Sequence, residues 1–171
     1  MKKIGIITIC DYSNYGNRLQ NFATQEVLKL LGCKVDTIVN TSLNNEGSRI
    51  KISKIKNMTT GEIVDRIIGI VRKMVNKNNY TRLLDAKIEA FKKFTDKNIT
   101  ETGFVITERN VPSELGNQYD FFIVGSDQVW NPIFRKGSTV DFLTFAPKHK
   151  RIAYAPSFGI SSIPNDYIEN Y

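Results

Sequence analysis

The chain has 171 residues, 41% of them hydrophobic and 24% charged, and carries a formal net charge of +7. That length supports one domain with a core, and the composition is ordinary for a soluble globular protein. No apolar run approaches the ~20 residues of a membrane span, and the run behind Met1-Lys2-Lys3 is too short for a signal-peptide core with its cleavage site, so a cytoplasmic location is expected.

Lys3 to Cys10 is a near-continuous apolar run, the pattern of a central parallel strand covered on both faces. A polar loop follows, Asp11 to Gly16. Leu19, Phe22, Ala23, Val27, Leu30 and Leu31 then recur at helical spacing, and Gly32 supplies the stop. Lys34 to Val39 is a second strand, completing a β-α-β unit whose crossover should be right-handed. Asn40 to Asn57 is polar and turn-rich. Two helices are predicted next, separated by a break at Asn76 to Asn79. Ile63, Val64, Ile67, Ile68, Val71, Met74 and Val75 share a face of the first. In the second, Tyr80, Leu83, Leu84, Ile88, Phe91 and Phe94 make a stripe interrupted by Lys87. The pair reads as a helical hairpin insertion over about residues 59–98, packed on the sheet.

Ile99 to Gln118 is poorly patterned, with room for a short strand and a short helix near Pro112 to Leu115. Asp120 to Val124 is a clear buried strand that runs into Gly125-Ser126-Asp127-Gln128-Val129-Trp130-Asn131-Pro132. Arg151 to Ala155 is another, ending in Pro156-Ser157-Phe158-Gly159, and Asn165 onward opens a helix. The charge is regional. From Arg49 to Lys97 thirteen Lys and Arg stand against five Asp and Glu, and the remainder is close to neutral.

Three predicted strands thus end in loops rich in Gly, Asn, Ser, Asp and aromatics. Ligands of open α/β sheets bind beyond the carboxyl ends of the strands, near the point where strand order reverses. The three loops should therefore line one crevice, with Gly16, Asp127 and Ser157 at the same edge. The first loop leads into a helix N-terminus, which favours an anion or a hydroxyl-rich ligand. Arg18 in that first turn is either paired with Asp11 or a cation of the cleft. Asn14, Asn17 and Gln20 either cap the helix or bind hydroxyls. Ser126 or Asp127 either caps a turn through Gln128 to Trp130 or, for Asp127, presents a carboxylate to the cleft. Trp130 fits a packing anchor better than a sugar platform, and His149 is expected in solvent.

Several chemistries are excluded. One histidine and two cysteines, Cys10 and Cys33, make no standard zinc site or Ser-His-Asp triad. The cysteines fall at opposite ends of parallel strands, on the order of 20 Å apart and beyond disulfide reach. Asn14-Tyr15-Gly16-Asn17-Arg18 is not a dinucleotide fingerprint, and no Walker A sequence is present. Neither a metal nor nucleic acid is expected.

The segments Asn14-Tyr15-Gly16-Asn17-Arg18-Leu19-Gln20-Asn21, Tyr119 to Pro132, and Ala153-Tyr154-Ala155-Pro156-Ser157-Phe158-Gly159 closely resemble the polysaccharide pyruvyl transferase family in order, spacing and strand context. The resemblance implies a Rossmann-like parallel sheet with helices on both faces, here the N-terminal half of a GT-B-like enzyme with two domains. It implies transfer of pyruvate from phosphoenolpyruvate, a co-substrate and not a cofactor, to two hydroxyls of a sugar or lipid-linked glycan. The donor-binding residues of the family lie mainly in a C-terminal domain that this chain lacks, so residues 1–171 are expected to be inactive alone. The residues carried over as substrate-binding are Asn14, Tyr15, Gly16, Asn17, Arg18 and Gln20 in the first loop. Gly125, Ser126, Asp127, Gln128, Trp130 and Asn131 follow in the second, with Ser157, Phe158 and Gly159 in the third. No catalytic acid or base is transferred.

A glycan- or partner-binding module without chemistry, and a nucleotide-sugar glycosyltransferase of the same architecture, stay open as alternatives. A cut across the last helix and the loss of a facing domain should leave apolar surface exposed near the C-terminus. The basic helices, Glu62 to Lys77 and the one carrying Lys87, Lys92, Lys93 and Lys97, are either a solvated face or a contact with anionic membrane.

Overall fold

A computed structural model describes residues 1–41 and 77–171. The first helix of the expected hairpin and the loop before it, apart from Asn40 and Thr41, lie outside the described residues. Five parallel strands form one sheet in the order β3-β2-β1-β4-β5, so the architecture is α/β and Rossmann-like. The strands are β1 (Lys3–Ile7), β2 (Lys34–Asn40), β3 (Glu101–Ile106), β4 (Phe121–Gly125) and β5 (Arg151–Tyr154). The apolar run of β1 earns its central position, with Gly5 paired to Asp36 on one side and Phe122 on the other. Gly5 has to be glycine for packing. A Cβ there would meet Ile38 Cδ1 at 2.7 Å and Phe122 Cδ1 at 3.2 Å.

Alternation along the strands separates two faces. One gathers Ile7, Ile38, Ile106, Phe122 and Val124, which pack with Leu115, Tyr119, Val129, Val140, Leu143 and Ala146 into a buried cluster. Short 3-10 helices over Ser113–Asn117 and Thr139–Phe142 supply its cover. The other face carries α1 (Tyr15–Leu30), on which α2 (Lys77–Asn98) packs. Phe22 meets Phe94 edge-on at 5.6 Å.

The orientation of α1 reverses the expectation from its apolar periodicity. Its buried residues are Asn17, Arg18, Asn21, Thr24 and Gln25, whereas Leu19, Val27, Leu30 and Leu31 are exposed. Side-chain hydrogen bonds explain the reversal. Thr37 Oγ1 on β2 donates to Asn21 Oδ1 at 2.8 Å and accepts from Gln25 Nε2 at 2.7 Å. Gln25 also brackets Thr100, donating to its carbonyl and accepting from its amide. Buried polar groups are tolerated when they are paired in this way. The apolar stripe turns toward β4 and β5, leaving a groove of about 320 Å³ lined by Ala23, Val27, Leu31, Ile123, Ile152 and Tyr154 among others. β5, expected as a buried strand, is instead an edge of the sheet: it pairs only with β4, and Ile152, Ala153 and Tyr154 are exposed.

Three further elements depart from or refine the sequence reading. The break expected at Asn76 to Asn79 does not hold for 77–79, which are helical in α2. The strand anticipated within Ile99 to Gln118 is β3, an edge strand paired only to β2. The segment from Asn165 forms a 3-10 helix, Asn165–Asn170.

Candidate functional site

Strand order reverses between β1 and β4, which are neighbours in the sheet although the chain passes through β2 and β3 between them. The carboxyl ends of β1, β4 and β5 lie side by side, and the loops that leave them meet.

Asn14 caps α1, its Oδ1 accepting from the amides of Gly16 (3.0 Å) and Asn17 (3.4 Å). Asn17 does not cap. Its Nδ2 donates to Asp127 Oδ2 in the loop after β4. Asp127 Oδ1 accepts from the Gln128 amide at 2.6 Å, and the Asp127 carbonyl accepts from the Ser157 amide at 2.9 Å. Ser157 in turn accepts from the Trp130 amide at 3.3 Å. Asp127 therefore ties all three loops together, the first through its carboxylate and the third through its backbone.

Gly125 makes the exit from β4 possible. Its φ is +117°, and a Cβ would fall 2.1 Å from the Tyr154 carbonyl oxygen. Ser126 and Gln20 line the polar end of the apolar groove. Gln20 accepts from Thr8 Oγ1 and donates to Thr24 Oγ1, both at 3.2 Å. Asn131 caps a third helix, α3 (Pro132–Arg135), accepting from the Ile133 amide at 2.9 Å. Its amide group also donates to Gln128 Oε1, and the Gln128 side chain fills the space that a Cβ at Gly159 would need.

Trp130 is a packing anchor. Its Nε1 donates to the Asp141 carbonyl, and its ring meets Phe142 and Phe158 at about 6 Å. Tyr171 closes the cluster, donating its hydroxyl to the Trp130 carbonyl at 2.7 Å. Tyr15 is the opposite case. It is 61% exposed, stacks on Phe91 and has Lys87 Nζ 5.9 Å from its ring.

Arg18 fits neither alternative drawn from the sequence. It is fully buried, and Nη1 donates to Glu101 Oε1 of β3 at 2.7 Å while Nη2 donates to the Ile9 carbonyl at 3.0 Å. Asp11 is engaged elsewhere, accepting from the amide and hydroxyl of Ser13. The buried polar face of α1 points Arg18 at the start of the edge strand and away from Asp11. Tyr12 covers the guanidinium, 5.0 Å from its ring centroid, and donates to Glu101 Oε2 at 2.6 Å. Burial, reinforced by the Glu101 carboxylate, pushes the Tyr12 phenol well above the ordinary tyrosine range.

A second group was not singled out in the sequence. Arg135 at the end of α3 is 6% exposed. Its Nε and Nη2 donate to the two Asp141 oxygens at 2.7 and 2.6 Å, and Nη2 also donates to Asn40 Oδ1 at 2.6 Å. Asn40, the last residue of β2, is itself held by the Thr8 and Ile38 carbonyls. Burial works against the guanidinium charge, and the bidentate carboxylate more than offsets it, so Arg135 is held protonated. These residues border a crevice of about 510 Å³ between the ends of β1 and β2, α2 and α3. The Asn131-Pro132 pair, a capping residue followed by proline at the first helical position, was the available signal for α3. Nothing in the sequence paired Arg135 with Asp141. Cys10 borders the same crevice, and burial pushes its thiol up, which suits an unreactive cysteine.

A family model described as polysaccharide pyruvyl transferase matches residues 14–171. The chain belongs to the polysaccharide pyruvyl transferase family. The match opens at the cap of α1 and takes in every residue of the three tied loops from Asn14 onward. Comparison with the curated proteins returns no match. A pyruvyl transferase of this family acts on a polysaccharide acceptor. Among the described residues, no helix is long and apolar enough to cross a membrane, and no three His, Cys, Asp or Glu side chains cluster as metal ligands.

Proposed function

We propose that the chain forms the acceptor-side cleft wall of a GT-B-like enzyme that moves pyruvate from phosphoenolpyruvate onto two sugar hydroxyls as a ketal. The family match across all three tied loops carries this reading. In the reaction the donor methylene takes a proton and becomes a methyl group. Two sugar oxygens form bonds to the adjacent carbon while its bond to the phosphate oxygen breaks. The two hydroxyl protons are balanced by the proton taken up at carbon and the one that leaves with phosphate. Asn17, Asp127 and Ser157 position the loops against the acceptor, and no residue is assigned as the acid.

The donor is a multiply charged anion, and clustered cations are needed to hold it. Among the described residues, the two guanidiniums buried near this edge, Arg18 and Arg135, are already matched by carboxylates. Donor binding is assigned to a facing domain, and residues 1–171 alone are expected not to turn over. The setting is cytoplasmic, with the lysines of α2 meeting anionic lipid when the acceptor is lipid-linked. Phosphate release with phosphoenolpyruvate and a glycan panel, joined to detection of the ketal methyl signal by NMR, tests the reaction on the chain paired with such a domain. Consumption of a nucleotide sugar and not of phosphoenolpyruvate would refute it.

A further inference from the structure

The crevice bordered by Arg135, Asn40, Asp11, Ser13, Lys92 and Phe134 has the volume of a small-molecule pocket, about 510 Å³. Its donors and acceptors are set in advance. Arg135 has Nε and Nη2 committed to Asp141 and Asn40. Among the described residues no group meets its Nη1, and Nη1 is not one of the enclosed, unpartnered atoms. Arg135 borders the crevice, and its Nη1 keeps its two N–H donors uncommitted among the described residues. Asp11 borders the same crevice and supplies an acceptor. Its Oδ1 takes both bonds from Ser13, and among the described residues nothing meets Oδ2. Phe134, 59% exposed, adds an aromatic surface.

The charges decide between the two substrates of the proposed reaction. Arg135 is cancelled by Asp141, and Lys92 is balanced in number by Asp11. Among the described residues the crevice carries no net charge and offers little to a multiply charged phosphate ester. It suits a neutral polyol, whose adjacent hydroxyls both accept from a guanidinium edge and donate to a carboxylate.

We infer that this crevice seats a neutral pyranose ring of the acceptor, with Arg135 Nη1 and Asp11 Oδ2 reading its hydroxyls and Arg135 determining specificity. The inference rests on the reading that the protein handles a sugar. The test is saturation-transfer NMR on the 171-residue chain with the methyl glycosides of glucose, galactose, mannose and N-acetylmannosamine, and with phosphoenolpyruvate as competitor. At least one glycoside should bind. Arg135→Lys, which keeps the charge but loses the fork, should weaken it roughly 10-fold or more. Phe134→Ala, at an exposed position that leaves the fold intact, should weaken it about 2- to 10-fold. Absence of binding by every glycoside, displacement by phosphoenolpyruvate, or unchanged affinity in Phe134→Ala would each overturn the assignment. Glycoside binding together with failure of pyruvyl transfer would sink the proposed reaction and leave the crevice standing. Transfer to glycosides that do not sense either variant would sink the crevice alone.

Discussion

Replacing Glu101 by alanine tests how the first loop is anchored. Arg18 is fully buried and Glu101 has 15% of its side chain exposed, so solvent screens the pair little. One carboxylate serves two donors, Arg18 Nη1 through Oε1 and the Tyr12 hydroxyl through Oε2. Arg18 Nε already lacks a partner among the described residues. Glu101→Ala would leave an uncompensated buried guanidinium, a loss of about 3–5 kcal/mol. An m-value near the upper end for a domain, ~2–3 kcal/mol/M, converts that to a fall of about 1–2.5 M in the urea midpoint. Urea unfolding followed by tryptophan fluorescence measures it, since Trp130 is the only tryptophan. The double replacement Arg18→Met with Glu101→Leu should recover most of the loss, because the desolvation of both charges is removed together. A change under ~1 kcal/mol in the single variant, the size typical of an exposed pair, would refute the account. So would a double variant as damaging as the sum of the singles.

Alkaline pH provides a second check. Tyr12 and Tyr119 have phenols raised by burial and then by Glu101 and Asp36 respectively, so above about pH 10 the unfolded chain loses protons that the folded chain keeps. With fewer protons bound when unfolded, stability must fall as pH rises through that range, and a flat urea midpoint from pH 9 to 11 would contradict it. Gly125→Ala should abolish accumulation of folded protein, because a left-handed φ and a 2.1 Å approach to the Tyr154 carbonyl must both give way; a normal yield with an unchanged amide NMR spectrum would show that the β4 exit is not tight. Co-sedimentation should show retention on vesicles containing phosphatidylserine but not on phosphatidylcholine alone. Glutamine at Lys87, Lys93 and Lys97 should weaken that retention by up to about 1 kcal/mol per site, and equal retention on neutral vesicles would leave α2 as a solvated face.

β1 and β4 were legible because a buried parallel strand writes its environment directly as an apolar run; β5 read the same way although it lies at an edge of the sheet with Ile152, Ala153 and Tyr154 exposed. β3 was faint for the converse reason. An edge strand reading Glu-Thr-Gly-Phe-Val-Ile is paired on one side only, and its burial begins only at Ile106. The periodicity of α1 was real, but its meaning was inverted. Apolar spacing identifies a face and not which neighbour that face meets, and here Thr37, Thr100 and Glu101 drew the polar side inward. Arg18 found a partner 83 residues away, a separation at which local spacing carries no information. The capping role of Asn14 was readable because it lies within residues 14–17. The tie between Asn17 and Asp127 was not, since it exists only after β1 and β4 become neighbours.

That tie has a mechanical consequence. Three loops drawn from three strands share one carboxylate residue, so none of them can shift far without stretching a bond to another. A ligand that pulls Asn17 off Asp127 also slackens the turn at Gln128 and, through the Asp127 carbonyl, the seat of Ser157. Motion at this edge of the sheet is thereby reduced from three independent flaps to a single joint with Asp127 as its pin.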